Sequence, residues 1–531
     1  MAESWIMKVD LIVSAHRIYT MDDSFPLAQS VAVRQGRIIA AGSKEEIQNA
    51  FSTRKRIDFG QAVVYPGFID PHCHFLGYGY VLQRAQLFGV PSWEEAVDRM
   101  VQYAKREALP LGAWIQGRGW DQNEWPCAAF PDSSLLDDAF PANPAIAIRV
   151  DGHAALINTK AREIAGIRGD TRIEGGEIRL SSGRPTGLIL DKAVDRIRAI
   201  IPRPEAETSR MALLKAQENC FAVGLTSVSN AGTEAWELRL MEDLQAEGSL
   251  SIGLYAMLMS SEENLGRARH TGPYASEKLT VCSFKMFADG ALGSRGAFLL
   301  EDYADDPGNR GLVTLDPAEL DRVASIAYKS GFQMNVHAIG DGALSLVLDA
   351  YGRYLKPGED RRWRIEHAQV VQPADLERIR SLGVVPSIQT THATSDMGWT
   401  ESRLGQNRMS RSHAYRDLLH AAGWLANGSD FPIEKIDPLR GFRSAVFRKN
   451  DAREPLSGYR MNQALRREEA LKAMTIWAAK ANFEEGIRGS IEPGKLADFT
   501  VLDVDLIQDS EERIWAARVL GVFVEGSLRA G

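Results

Sequence analysis

Over its first sixty residues the chain alternates apolar and polar positions in short runs: "DLIVSAHRIYTMD", "SVAVRQGRIIAAGS" and "RIDFGQAVVYPG". Polar turns separate them, and the glycine of "RQGR" fits a hairpin, so the period of two predicts antiparallel strands. The far end repeats the style in "GSIEPGKLADFTVLDVD" and "VLGVFVEGSLRA". Neither β-rich piece is long enough to bury a core by itself. Pairing them into one small β-sandwich domain, residues 1–65 plus 484–531, brings the two ends of the chain together.

Between them the pattern changes to apolar runs separated by amphipathic helical stretches. The runs are "PGFIDPH", "VGLTSVSNA", "LSIGLYAML", "LTVCSFKMFADG", "FQMNVHAIGD", "RWRIEHAQ", "GVVPSIQT" and "GWLANGSDF". Segments such as "PAELDRVASIAYKSG", "DGALSLVLDAYGRYL" and "QPADLERIRSLG" read as the helices. Eight buried β-runs with intervening helices predict an α/β fold, a (β/α)8 TIM barrel over residues 66–483. The first and second runs are separated by far more than a βα connection needs. An inserted subdomain at about 77–210 is therefore expected after the first barrel strand, and it contains "AWIQGRGWDQNEWP" and "AIAIRVDGHAALINTKA".

Composition narrows the function classes. The 531 residues are 44% hydrophobic and 25% charged, as in a folded globular protein. A net charge of −8 disfavours a nucleic-acid partner, which needs a basic footprint. Four widely spaced cysteines without a CxxC fit a reducing compartment, and the N-terminal stretch reads as a strand, with neither signal peptide nor membrane span. A cytoplasmic protein with a small-molecule substrate is the expectation, and a homo-oligomer is compatible with it. No GxGxxG opening a helix, P-loop or GxSxG elbow is present, so neither a nucleotide cofactor nor a serine nucleophile is expected.

In a TIM barrel the reactive groups gather where strands end. The first run ends in His72 and His74, whose two-residue spacing puts both on one strand face. The fourth carries Lys285, the fifth ends in His337, the sixth in His367, and the eighth in Asp430. Four of ten histidines, a strand lysine and a strand-end aspartate thus converge on one mouth. Imidazole and carboxylate suit a divalent cation such as zinc. A buried ammonium is costly, and Lys285 makes sense there as a carbamate bridging two ions. Plainer readings exist: Lys285 could snorkel to the rim, and Asp430 could cap a turn.

These motifs resemble the amidohydrolase superfamily, and within it the YtcJ-like amidohydrolase-3 family that includes N-substituted formamide deformylases. The resemblance rests on "PGFIDPHCH", "GRGWDQNEWP", "DGHAALINTKA", "FKMFADGALGSRGA", "VHAIGDGA", "RIEHAQ", "THATSDM" and "GSDFPIEKIDPL", in that order, and spans nearly the whole chain. It implies a metal pair held by His72, His74, Lys285 as an N6-carboxylated lysine, His337, His367 and Asp430. It also implies hydrolysis of a non-peptide amide-type C–N bond by a metal-activated hydroxide. Asp430 is the expected catalytic proton carrier. Ester, lactone or carbamate cleavage is the alternative, and an inactive binding homologue a further one. Outside the ligand set, His153, Arg295, His392 and Trp120 are candidates for substrate contact, although Trp114, Trp120 and Trp125 also read as packing of the insertion. Asp70 is a candidate for orienting a ligand histidine.

Overall fold

The computed structural model describes residues 6–202 and 204–531. Eight parallel strands follow one another around the central sheet. They are β1 (Phe68–Cys73), β2 (Leu225–Thr233), β3 (Gly253–Met259), β4 (Leu279–Phe287), β5 (Gln333–Ala338), β6 (Arg364–His367), β7 (Val385–Ile388) and β8 (Ala426–Asn427). Each lies within one of the eight apolar runs or extends at most two residues past its end. Between β8 and β1 the barrel is completed by loop backbone rather than by a ladder. Asp430 N–H donates to His72 O at 2.8 Å, and His74 N–H donates to Phe431 O at 2.8 Å. The approach requires a glycine: a Cβ on Gly428 would lie 2.7 Å from Asp70 Oδ1 and 2.8 Å from His72 N.

The helices form where the sequence supplies caps and a stripe. In Pro317–Ser330 the Asp316 side chain accepts from Ala318 N–H, and Gly331 ends the helix at φ 80°. Its buried face is Leu320, Val323, Ala324 and Ala327, the i, i+3, i+4, i+7 pattern. Each large apolar side chain buried this way contributes about 1.5–3 kcal/mol.

The terminal segments share one eight-stranded sheet. Phe499–Leu502 runs antiparallel to Val63–Pro66, which in turn pairs with Leu11–Tyr19. The hairpin at "RQGR" has Gln35 at φ 51° and Gly36 at φ 74°, the positive pair a two-residue type I′ turn needs. Val63–Pro66 leads directly into β1, so this sheet anchors the strand that carries His72.

The insertion forms its own mixed sheet in the order Gly176–Ser181, Arg184–Asp191, Ala154–Ile157, Ala145–Arg149, Ile115–Trp120, Ala85–Gln86. Along Ala145–Arg149 alternate residues serve two cores. Ala145 and Ala147 face a cluster with Trp93, Trp120 and Trp125, while Ile146 and Ile148 face Ile157 and Ile197. Trp120 is fully buried in the first cluster, its ring 5.9 Å from Trp125 and its Nε1–H donating to Ala147 O at 2.9 Å. The structure thus places Trp120 as packing of the insertion and not on a cavity wall. Among the described residues no helix is long and apolar enough to cross a membrane.

Candidate metal centre

The strand ends bring His72, His74, Lys285, His337, His367 and Asp430 into one buried neighbourhood. Donor atoms of His72, His367 and Asp430 lie within 4.8 Å of one another. His74 Nε2 is 3.2 Å and His72 Nε2 is 3.3 Å from Asp430 Oδ1. The His337 and His367 rings are 4.4 Å apart, and those of His72 and His367 4.9 Å. Both His367 (φ 74°) and Asp430 (φ 63°) have left-handed backbones. That conformation is unfavourable for residues with a Cβ and clusters at functional sites. It breaks strand alternation, which lets His367 turn inward beside the equally buried Glu366.

The imidazoles are oriented by neighbours. Glu366 accepts from His72 Nδ1–H, and Gln389 Oε1 accepts from His367 Nδ1–H at 2.7 Å, leaving Nε2 of each ring facing the cluster. Glu366 is in turn ion-paired with Arg364 at 2.8 Å, all of it fully buried. His337 Nε2 lies 3.4 Å from Asp289 Oδ1, and Asp289 accepts backbone N–H groups of Phe298, Ile339 and Gly340. Glu366, Gln389 and Asp289 were not singled out in the sequence. Asp70, which was, accepts the backbone N–H of His72 and the hydroxyl of Ser429. It ties β1 to the β8 loop and leaves the histidine ring to Glu366.

The donor set fits a cation. His72 Nε2, Lys285 Nζ and Asp430 Oδ1 are buried without a hydrogen-bond partner among the described residues, an arrangement that costs free energy unless something satisfies it. Burial, with His337 second, holds His367 well below the ordinary histidine range. Burial also lowers His74 and His337 despite the carboxylates beside them. The direction favours the neutral ring, the form that can offer a lone pair to a metal. For His72, burial and Lys285 act downward but are outweighed by Glu366 and Asp430. The carboxylates that favour a proton there equally favour a cation. Burial would raise Asp430, yet contacts from His72 and His74 keep it well below the usual carboxylate range. Burial brings Lys285 down to about 8, against the upward pull of Glu366 and Asp430.

The other candidates fall around this cluster. His392 Nε2 is 3.9 Å from Asp430 Oδ2 and its ring stacks 5.9 Å from His367. His153 comes from the insertion, with Nδ1 3.1 Å from Asp191 Oδ1, and lies within electrostatic reach of His337. Arg295 instead makes a two-pronged pair with Asp305, at 3.1 and 2.9 Å, and the structure leaves its guanidinium in that pair.

Comparison with known proteins extends the geometry. The profile of the amidohydrolase family, Amidohydro_3, matches residues 55–530. Protein LONG AFTER FAR-RED 3 of Arabidopsis thaliana is 33% identical over 97% of this chain and 91% of its own. A putative amidohydrolase, YtcJ, of Bacillus subtilis is 33% identical over 92% and 93%, and the N-substituted formamide deformylase of Arthrobacter pascens 28% over 98% of each. An uncharacterized metal-dependent hydrolase from Pyrococcus horikoshii superposes with a TM-score of 0.77 at 29% identity, covering 94% of this chain and 99% of that one.

Proposed function

We propose, from the premise that this chain belongs to the amidohydrolase family, that it hydrolyses an amide-type C–N bond of a small molecule with a divalent metal, zinc by donor type. The observation that carries the reading is the convergence of buried ligand atoms of His72, Lys285 and Asp430 that make no hydrogen bond among the described residues, beside imidazoles whose pKa burial lowers. His72, His74, His337, His367 and Asp430 would hold the metal, with Lys285 as a carbamate. Near neutral pH part of the Lys285 amine is uncharged, because its pKa is about 8. It can add carbon dioxide through a new N–C bond, releasing one proton. A bound cation brings water's pKa toward neutrality and polarises the scissile carbonyl.

The chain's residues supply the rest. Asp430, held ionised, takes the proton of the attacking water and returns it to the departing amine. Glu366 and Gln389 fix the tautomers of His72 and His367 so that each ring keeps one Nε2 lone pair directed inward. His392 stands beside Asp430 Oδ2, where a substrate carbonyl or leaving group would pass. The insertion brings Arg118 and His153 within electrostatic reach of Asp430 and His337. We assign residues 66–483 to the hydrolase unit and 1–65 with 484–531 to the small sheet. We place the protein in the cytoplasm, a setting the four unpaired cysteines support.

The test is a screen of metal-reconstituted protein, with and without a chelator, against N-substituted formamides, acyl-amino acids, esters and lactones. Chelator-sensitive release of an amine is the expected result. Release of alcohol alone moves the reading to an esterase or lactonase, and undiminished turnover after exhaustive demetallation refutes the metal.

A further inference from the structure

Three arginines of the insertion, Arg84, Arg118 and Arg198, lie within electrostatic reach of one another, and Arg118 within that of Asp430; the reaction described above uses none of them. Arg118 stands between two glycines of the strand Ile115–Trp120. A Cβ on Gly117 would lie 2.8 Å from Leu87, and Gly119, at φ 117°, passes so close to Phe88 that a Cβ would sit 2.6 Å from its ring. The backbone is thereby pinned, and Arg118 projects from a fixed point. Opposite it, the turn Asp151–His153 pivots on Gly152 at φ 76°. A Cβ there would lie 3.4 Å from a terminal nitrogen of both Arg118 and Arg198, so the two guanidinium groups flank one spot. Arg198 also donates to Gly152 O at 2.9 Å. Arg84 lies within electrostatic reach of both. Arg118 lies within electrostatic reach of Asp430, and His153, next to Gly152, within that of His337.

The charge of the three arginines is not balanced. Arg149, three residues before Gly152, shows how a structural arginine is neutralised here: it pairs with Asp121 at 2.5 Å and Asp151 at 2.6 Å. Arg118 has a buried Nε without a partner, and its side chain makes one long hydrogen bond, 3.4 Å to Val150 O. Arg84 rests over the Tyr80 ring and has no ion pair among the described residues. Among the described residues the one ion pair of the trio is that of Arg198 with Asp195, and Asp151, which also acts on Arg118, is already paired with Arg149. Burial first, then the neighbouring Arg198, brings both Arg84 and Arg118 down to about 10. Two half-buried guanidinium groups without an ion pair among the described residues, beside an exposed third, are unfavourable unless an anion joins them.

We propose that Arg118, with Arg84 and Arg198, binds an anionic oxygen group of the substrate, a carboxylate or a phosphate, so that the amide cleaved carries negative charge away from its scissile bond. This rests on the hydrolase reading above, which it sharpens to an anionic substrate class. The test compares N-acyl amino acids, their uncharged carboxamide twins and N-acyl-aminoethyl phosphates on the metal-loaded enzyme. A charged hydrogen-bonded contact predicts that one anionic series exceeds the carboxamides by at least about 30-fold in kcat/KM, chiefly through KM. The series that wins identifies carboxylate or phosphate. In Arg118→Gln that preference should collapse to about threefold or less, and Arg118→Lys, which keeps the charge without the fork, should fall between. Arg353→Gln, on the outer surface, should keep the full preference. Equal rates for charged and uncharged twins, or a preference that survives in Arg118→Gln, overturns the proposal. If no amide is turned over, the amide reading fails on its own. Titration calorimetry with benzoate and phenyl phosphate then decides the arginine site. Binding weakened at least about tenfold in Arg118→Gln or, should that variant misfold, in Arg84→Gln upholds it, and equal binding overturns it.

Discussion

Replacing Glu366 by Gln tests whether the metal site depends on a residue that does not itself face the cation. The carboxylate lies fully buried between Arg364, 2.8 Å away, and the Nδ1 of His72. Burial alone would raise its pKa, but Arg364 and then His72 hold it well below the ordinary range. Glutamine keeps the shape and one acceptor but removes the charge, and its NH2 must face either the guanidinium or the imidazole N–H. Arg364 retains hydrogen bonds to Pro71 O at 2.6 Å, Ser387 Oγ at 2.9 Å and Asn482 Oδ1 at 3.2 Å. The loss should therefore fall at the low end of that for a broken buried pair, about 3 kcal/mol. His72, no longer held in its ligating tautomer, should lower metal affinity about 10–100-fold. Competition against a fluorescent chelator reads the affinity, and denaturant unfolding of chelated protein reads the stability separately. An affinity within about twofold of wild type would show that Glu366 does not orient His72, whatever the unfolding data say.

Other perturbations separate the remaining roles. Asp430→Asn should keep the fold and much of the metal while kcat falls at least about a hundredfold, the scale of lost acid–base help; near-normal kcat would pass the proton route to His392 or His153. Lys285→Ala should remove most of a second metal equivalent, measured by elemental analysis, with partial recovery of rate in a short-chain carboxylate; unchanged metal content and rate would mark an ordinary lysine. Trp120→Ala should cost about 3–5 kcal/mol, read as lowered unfolding resistance that Trp120→Phe largely restores; a stable Trp120→Ala enzyme with a raised KM would return Trp120 to the substrate side.

The barrel strands were legible because each is buried on both faces and reads as an apolar run closed by a polar residue. The histidines stood out because such runs otherwise exclude them. Glu366 was harder to find. It sits in "RIEH" beside His367, and regular alternation would aim the two residues oppositely; only the left-handed backbone at His367 lets both face inward. The available signal was Arg364 with Glu366 two residues apart on a buried strand, since ions there must be paired. Asp289 and Gln389 lie at the ends of other strands and gain meaning only when the barrel brings them to His337 and His367. Trp120 carried two readings because aromatic density looks alike in a lid and in a core, and its burial in the insertion accords with packing. Sequence spacing cannot show that the insertion has a sheet with two packed faces of its own.

The way β1 meets the β8 loop has a consequence for how the protein is made. His72 leaves the ribosome early, but the groups that fix it come much later: Glu366, then Asp430, whose N–H clasps His72 O. The strand feeding His72 is itself held by Phe499–Leu502, still further along. A nascent chain thus carries an incomplete set of the candidate ligands until Asp430 has been translated. On the proposed ligand set, metal capture would follow the pairing of Phe499–Leu502 with Val63–Pro66, and truncation shortly before residue 499 should leave a chain that cannot retain its ion.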